Sequence, residues 1–227
     1  MAISQIIRII IRWAFVMFVL AEGLVLIAGK TRPWMLDAYI VVLAPSLLAM
    51  MLAIAPQIVH EHRQAEKSSG SDGAIRLGLV VLFIVTLAVA AFDVGRLHLS
   101  RNVPVVLSVI GLVAFIAASG FQAWAMSVNS FYSPVIHIQA ERGHRVVTRG
   151  PYRILRHPAY FANIIAVPAS ALAIGSWLGL IPAAACCALT IWRARKEDSF
   201  LRQNLAGYRE YMEEVRGGVL PHLSFKL

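Results

Sequence analysis

Six apolar runs, each about as long as a bilayer core is thick, leave this chain few ways to fold. They cover residues 9–28, 36–59, 75–92, 104–126, 159–175 and 177–192. A helix needs about 20 such residues to cross the hydrocarbon. Backbone groups in lipid must be paired within the segment or within a closed barrel, and the two-residue alternation of a barrel strand is absent. With 59% hydrophobic residues and a mean hydropathy of +0.69, the chain lies outside the range of soluble domains. The expected fold is all-α: a polytopic helical membrane protein with about six transmembrane helices, followed by a C-terminal amphipathic helix at the membrane interface. One domain, residues 1–227, accounts for it, with 1–92 as N-terminal helices and 93–227 as the part bearing chemistry. The first run is too long for a signal peptide and lacks a small-residue cleavage site, so it counts as a true span.

Charge sets the expected orientation. The formal net charge is +9. With the N-terminus in the cytoplasm, 17 of the 21 Lys and Arg fall on cytoplasmic segments, and only Lys30, Arg32, Arg96 and Arg101 fall outside. This is the positive-inside pattern, and it puts the N-terminus, the 127–157 loop and the C-terminus on the cytoplasmic side. Such a basic face suits anionic lipid headgroups. No motif supports nucleic-acid binding. The stretch 60–73 reads as a polar cytoplasmic loop, and its His60 and His62 are spaced wrongly to share a helix face as a metal site. Cys186 and Cys187, adjacent in an apolar run, read as small packing residues.

Two polar clusters stand where apolar runs meet water. The first is Gly150-Pro151-Tyr152-Arg153-Ile154-Leu155-Arg156-His157-Pro158-Ala159-Tyr160, closing a long loop that carries His137, Gln139 and His144. Pro158 suits the first turn of the fifth helix, where no amide partner is needed. Arg156 and His157 then stand at the mouth of that helix, a place that attracts a carboxylate or phosphate. The second cluster is Arg193-Ala194-Arg195-Lys196-Glu197-Asp198. Arg193 and Glu197 are four apart and are expected to pair. Beyond it, Leu201, Leu205, Tyr208, Met212 and Val215 keep helical spacing, broken at Gly207, and read as an interfacial helix covering the site. Asp93 is expected to pair with Arg96 nearby. No phosphate loop, Ser-His-Asp order or zinc spacing occurs, so hydrolytic and metal chemistry are not favoured.

The run Gly143-His144-Arg145-Val146-Val147-Thr148-Arg149-Gly150-Pro151-Tyr152, then Arg156-His157-Pro158-Ala159-Tyr160, resembles the signature of the isoprenylcysteine carboxyl methyltransferase and phospholipid methyltransferase superfamily. Arg193, Glu197-Asp198, Tyr208-Arg209-Glu210-Tyr211 and Leu220-Pro221 resemble its C-terminal pattern. The resemblance implies an integral membrane enzyme using S-adenosylmethionine. By position it implies a cofactor site at His144, Gly150, Tyr152, His157, Tyr160, Glu197 and Asp198, with Arg193 and Glu197 as catalytic residues and no metal. Ala162 stands where the family usually has glycine, and Asp198 where a second glutamate is common.

The acceptor stays open among an isoprenylcysteine-like carboxylate, a phospholipid amine and a small hydrophobic thiol or acid, each reaching the site from the bilayer. A carboxylate is nucleophilic at neutral pH, whereas a thiol or amine needs a base, for which Glu197, His157 and Tyr160 are candidates. A nicotinamide-dependent membrane reductase and a non-enzymatic lipid-binding or transport protein are the readings from other classes.

Overall fold

The computed structural model describes residues 3–61 and 70–220. Among them every regular element is helical: α1 Ile3–Ala28, α2 Trp34–Glu61, α3 Gly70–Phe92, α4 Val105–Val128, α5 Pro158–Ile174, α6 Leu180–Asn204 and α7 Tyr208–Glu214. A π-helical turn, Asp93–Leu97, extends α3, and two short 3-10 turns, Ala140–Arg142 and Gly150–Arg153, lie in the loop between α4 and α5.

Four helices, α1 to α4, are long and apolar enough to cross a membrane. The protein is an integral membrane protein on this ground. The two last apolar runs behave differently from the expectation of six equal spans. At 17 residues, α5 is about 25 Å long at 1.5 Å per residue. In α6 the uncharged part, residues 180–192, ends at Arg193, yet the helix runs on to Asn204 because its charged residues find partners inside the protein. The expected loop 60–73 is also shorter. Residues 70–73 open α3, with Asp72 in its first turn, where a carboxylate complements the free amides. Residues 62–69, including His62, lie outside the described residues.

Side chains on α1 meet mostly surroundings rather than protein, and only Met17, Leu24 and Ala28 are buried. By contrast α5 is packed on nearly all sides by small residues, among them Ala162, Ala166, Ala169 and Ala173. Gly111 of α4 lets the two backbones meet, since a Cβ there would stand 2.7 Å from the Ala173 nitrogen. Deeper in the bundle Tyr39 donates to Ser170 Oγ at 2.9 Å. Pro168, inside α5, has no amide for the Ile164 carbonyl, and the Cys187 thiol lies 3.5 Å from that oxygen. Cys187 thus fills a hydrogen-bonding gap as well as space.

At one end of the bundle a polar knot joins α1, α3 and α6. Asp93 is fully buried and accepts from Ser100 Oγ, Ser176 Oγ and the Leu99 amide. It does not pair with Arg96 as expected. Arg96 instead donates to the carbonyls of Ile27 (2.7 Å) and Leu26 (3.1 Å), capping the end of α1. Gly95 permits the junction, because a Cβ there would fall 2.2 Å from the Ala28 oxygen.

Candidate active site

At the opposite end, the loop after α4 folds back on itself through short side-chain hydrogen bonds. Asn129 Oδ1 accepts from the Phe131 amide, and Ser133 Oγ from the Val135 amide, each at 2.9 Å. Gln139 is 3% exposed and ties the loop together, donating to the Phe131 carbonyl and accepting from Arg142. Gly150 sits at φ +59°, which an L side chain rarely adopts, with Val128 and Trp124 packed where a Cβ would point. These turns set His144 and Tyr152 against one cavity.

That cavity is lined by Phe131, Tyr132, His137, His144, Val146, Val147, Tyr152, His157, Tyr160, Glu197, Leu201, Tyr208 and Tyr211, among others. Five of the seven expected cofactor residues, His144, Tyr152, His157, Tyr160 and Glu197, therefore meet in one place. Gly150 shapes the cavity without lining it. Asp198, the seventh, lies behind it.

The Asp198 carboxylate is 1% exposed and is taken up within the protein. Arg156 grips it twice (Nε at 3.2 Å, Nη2 at 2.9 Å), His157 Nε2 lies 2.8 Å away, and Tyr208 donates at 2.7 Å. Burial pushes this carboxyl up, but the His157 hydrogen bond and charge, with Arg156, overcome it and hold it below the usual carboxylate range. For His157 burial acts downward, and the Asp198 hydrogen bond and charge outweigh it, so the imidazole titrates above its ordinary value. The anion that the mouth of α5 was expected to attract is thus Asp198 itself.

Around this pair the C-terminal segment closes. Arg156 Nη1 donates to the carbonyls of Val215 (2.7 Å) and Arg216 (3.0 Å), and the amides of Arg156 and His157 bond the carbonyls of Gly217 and Gly218. Tyr211 donates to the Tyr152 carbonyl at 2.6 Å. Helix α7 covers the cavity, as expected, but its apolar face packs on protein: Leu205, Tyr208, Tyr211 and Val215 are buried with Ile138, Val146 and Leu201.

Glu197 is placed otherwise. It lines the cavity, is half-buried, and accepts from Tyr160 Oη at 2.7 Å. Arg193 does not pair with it. The Arg193 guanidinium reaches Asp72 at 3.2 Å, donates to the Pro134 carbonyl, and lies 6.0 Å from the centre of the Tyr160 ring. His144 stacks on Phe131 with ring centres 4.7 Å apart. Burial first, then the charges of His137 and Arg142, lower its pKa to about 4, so the ring is neutral near pH 7. Its Nδ1 receives the Gln139 amide at 3.3 Å, which puts the ring proton on Nε2.

A second cavity, of about 730 Å³, opens among α1 to α6. Its walls are mainly aliphatic and aromatic, with Phe15, Leu43, Phe83 and Phe115 among them, and Arg76, Gln122, Asn163 and Arg193 among the polar exceptions. Tyr132, Ser133 and Tyr160 line both cavities. Sequence reasoning did not find Asp72, Arg76 or Asn129. Asp72 and Arg76 have an i,i+4 spacing that is legible, but nothing in the chain tells that they meet Arg193.

The sequence model of the phospholipid methyltransferase family matches residues 106–207. Two similar proteins, one from Oryza sativa subsp. indica and one from Oryza sativa subsp. japonica, are each described as a probable protein-S-isoprenylcysteine O-methyltransferase. Each is 30% identical over 122 residues, covering 50% of this chain and 61% of the relative. The chain therefore spans less than two thirds of the length of the curated relatives it matches. The matched residues hold both polar clusters of the site, and over them the chain is similar to phospholipid and isoprenylcysteine carboxyl methyltransferases.

Proposed function

We propose that the protein transfers a methyl group from S-adenosylmethionine to a lipophilic acceptor held in the bilayer, with an isoprenylcysteine-like carboxylate as the leading acceptor class. One observation carries the reading: a polar cavity beside Glu197 and a large apolar cavity among the helices share the wall formed by Tyr132, Ser133 and Tyr160. A water-borne donor and a greasy acceptor have separate approaches to one junction.

The polar cavity fits the donor chemically. Glu197 is an acceptor for an amine or ribose hydroxyls, Val146, Val147 and Leu201 offer an apolar face to a base, and His137 Nε2 is buried with no partner among the described residues. S-adenosylmethionine supplies an electrophilic methyl group on a sulfonium, for in-line displacement without metal. The chain's task is alignment, which in favourable cases is worth about 7–11 kcal/mol of the barrier. Tyr160, fixed by its hydrogen bond to Glu197 and stacked on His157 at 5.4 Å, stands at the junction to hold that alignment. Arg193 orients the acceptor head from the apolar side, and Asp198 acts as a positioning residue through Arg156, His157 and Tyr208.

The test is incubation with methyl-labelled S-adenosylmethionine and a farnesylated carboxylic acid. Base-labile label in the lipid, the mark of a methyl ester, is expected. Base-stable label would move the acceptor to an amine or thiol, and no transfer to any lipophilic acceptor would sink the activity.

The polar cavity is read as cytoplasmic, near anionic headgroups. In support, the start of α3, the loop after α4 and the end of α6 gather at that end of the bundle. A cysteine introduced by Ser71→Cys is expected to react with impermeant reagent from the cytoplasmic side alone, and labelling from outside would reverse the orientation.

A further inference from the structure

We propose that Arg76 and Arg193, both held by Asp72, form a two-cation clamp for the anionic head of the acceptor, and that Arg76 sets the preference for an acid. The proposal rests on the methyltransferase reading for the identity of the ligand as acceptor, but its geometry stands apart from the donor site.

Asp72 is 5% exposed and lies between the two guanidinium groups, with Arg193 Nη2 at 3.2 Å and Arg76 Nε at 3.6 Å. The Ile136 amide adds a third contact at 3.4 Å. With Glu197 also acting on Arg193 through its charge, two carboxylates face the two cations, yet neither hydrogen-bonds a guanidinium Nε, and a buried donor left without an acceptor is costly. Glu197, the second acid near Arg193, takes its hydrogen bond from the Tyr160 hydroxyl rather than from either arginine. Arg193 is 4% exposed, and its Nε, like Arg76 Nε, is buried with no hydrogen-bond partner among the described residues. Both arginines line the apolar cavity. Their Nε groups are donors without an acceptor, and Asp72 Oδ1 beside them is itself without a hydrogen bond, at the polar end of a space otherwise suited to a hydrocarbon chain.

A carboxylate answers this arrangement better than an amine does. The planar guanidinium fork matches carboxylate oxygens, whereas an ammonium head brings only donors to groups that are themselves donors. The place is also right, since Arg193 lies against Tyr160 on the wall shared with the polar cavity. Asp72 and Arg76 precede the family-matched residues 106–207, so this selectivity would be contributed by the N-terminal half of this chain.

The test compares equilibrium binding of S-farnesylthioacetic acid and its methyl ester to the full chain in detergent, with no methyl donor present. Wild type is expected to prefer the acid by about tenfold or more, the scale of a charge-assisted hydrogen bond. Arg76→Gln should remove most of that preference, Arg76→Lys should restore part of it, and ester affinity should stay level in all three. Equal affinity of wild type for acid and ester would overturn the clamp. Full preference retained in Arg76→Gln would overturn the role of Arg76. If Arg76→Gln does not fold, Arg76→Lys decides: an undiminished preference there contradicts the need for a guanidinium fork. A preserved acid preference in a protein that binds no S-adenosylmethionine would refute the methyltransferase reading and leave the clamp standing.

Discussion

The two ends of the bundle each bury a carboxylate, and they do so to different ends. Asp93 receives two hydroxyls and an amide, all from within 83 residues of chain, and every donor around it is matched. At the other end Asp198 is equally well satisfied, but the groups in front of it are not. Of the five buried side-chain atoms without a partner among the described residues, four belong to Asp72, Arg76, His137 and Arg193, all at this end. A closed polar knot stabilises helix junctions, whereas a cluster of unmatched polar atoms beside two cavities marks where ligands complete the structure. Burial of charge alone does not separate structure from function; the state of the surrounding polar groups does.

The contrast can be broken at its strongest point first. Asp198→Ala would leave Arg156 and His157 buried without their anion, a loss of about 3–5 kcal/mol for a broken buried pair. It is expected to lower the thermal midpoint in detergent more than any other single change here, and to abolish binding of S-adenosylmethionine by releasing the segment tied to Arg156. A midpoint near wild type would show that the C-terminal segment is held otherwise.

Asp93→Asn sharpens the other side. It turns one acceptor into a donor facing serine hydroxyls, a cost of about 1–3 kcal/mol. The thermal midpoint should fall while affinity for S-adenosylmethionine in the folded protein stays at wild-type level. A loss of affinity would mean the knot communicates with the site. Glu197→Ala should give the reverse pattern: stability close to wild type, because the side chain is half-buried, and affinity for S-adenosylmethionine reduced about ten- to a hundredfold, the scale of hydrogen bonds to a charged group. Unchanged affinity would remove Glu197 from the donor site.

Much of the frame was legible because lipid demands it. The first four apolar runs became α1 to α4 with ends shifted by a few residues, and the gathering of the 150–160 strip with Glu197 followed from the motifs. What escaped the sequence is pairing over distance. Local spacing suggested Arg193 with Glu197 and Asp93 with Arg96, since residues near in sequence are the visible candidates. The protein instead pairs Arg193 with Asp72, 121 positions away, and Asp93 with Ser176, 83 positions away, because packed helices offer deeper and better-directed partners. The same reason hid Asp198. Beside Glu197 in the chain, it looked like a second ligand-binding acid, but the turn of the helix carries it to Arg156 and His157.

The most direct test of the central claim is isothermal titration of the detergent-purified full chain with S-adenosylmethionine, S-adenosylhomocysteine and a reduced nicotinamide cofactor. Saturable binding of the first two, competitive with each other, and none of the third is the predicted result. Folded protein that binds neither sulfonium nor its product, or that binds the nicotinamide in their place, would contradict it.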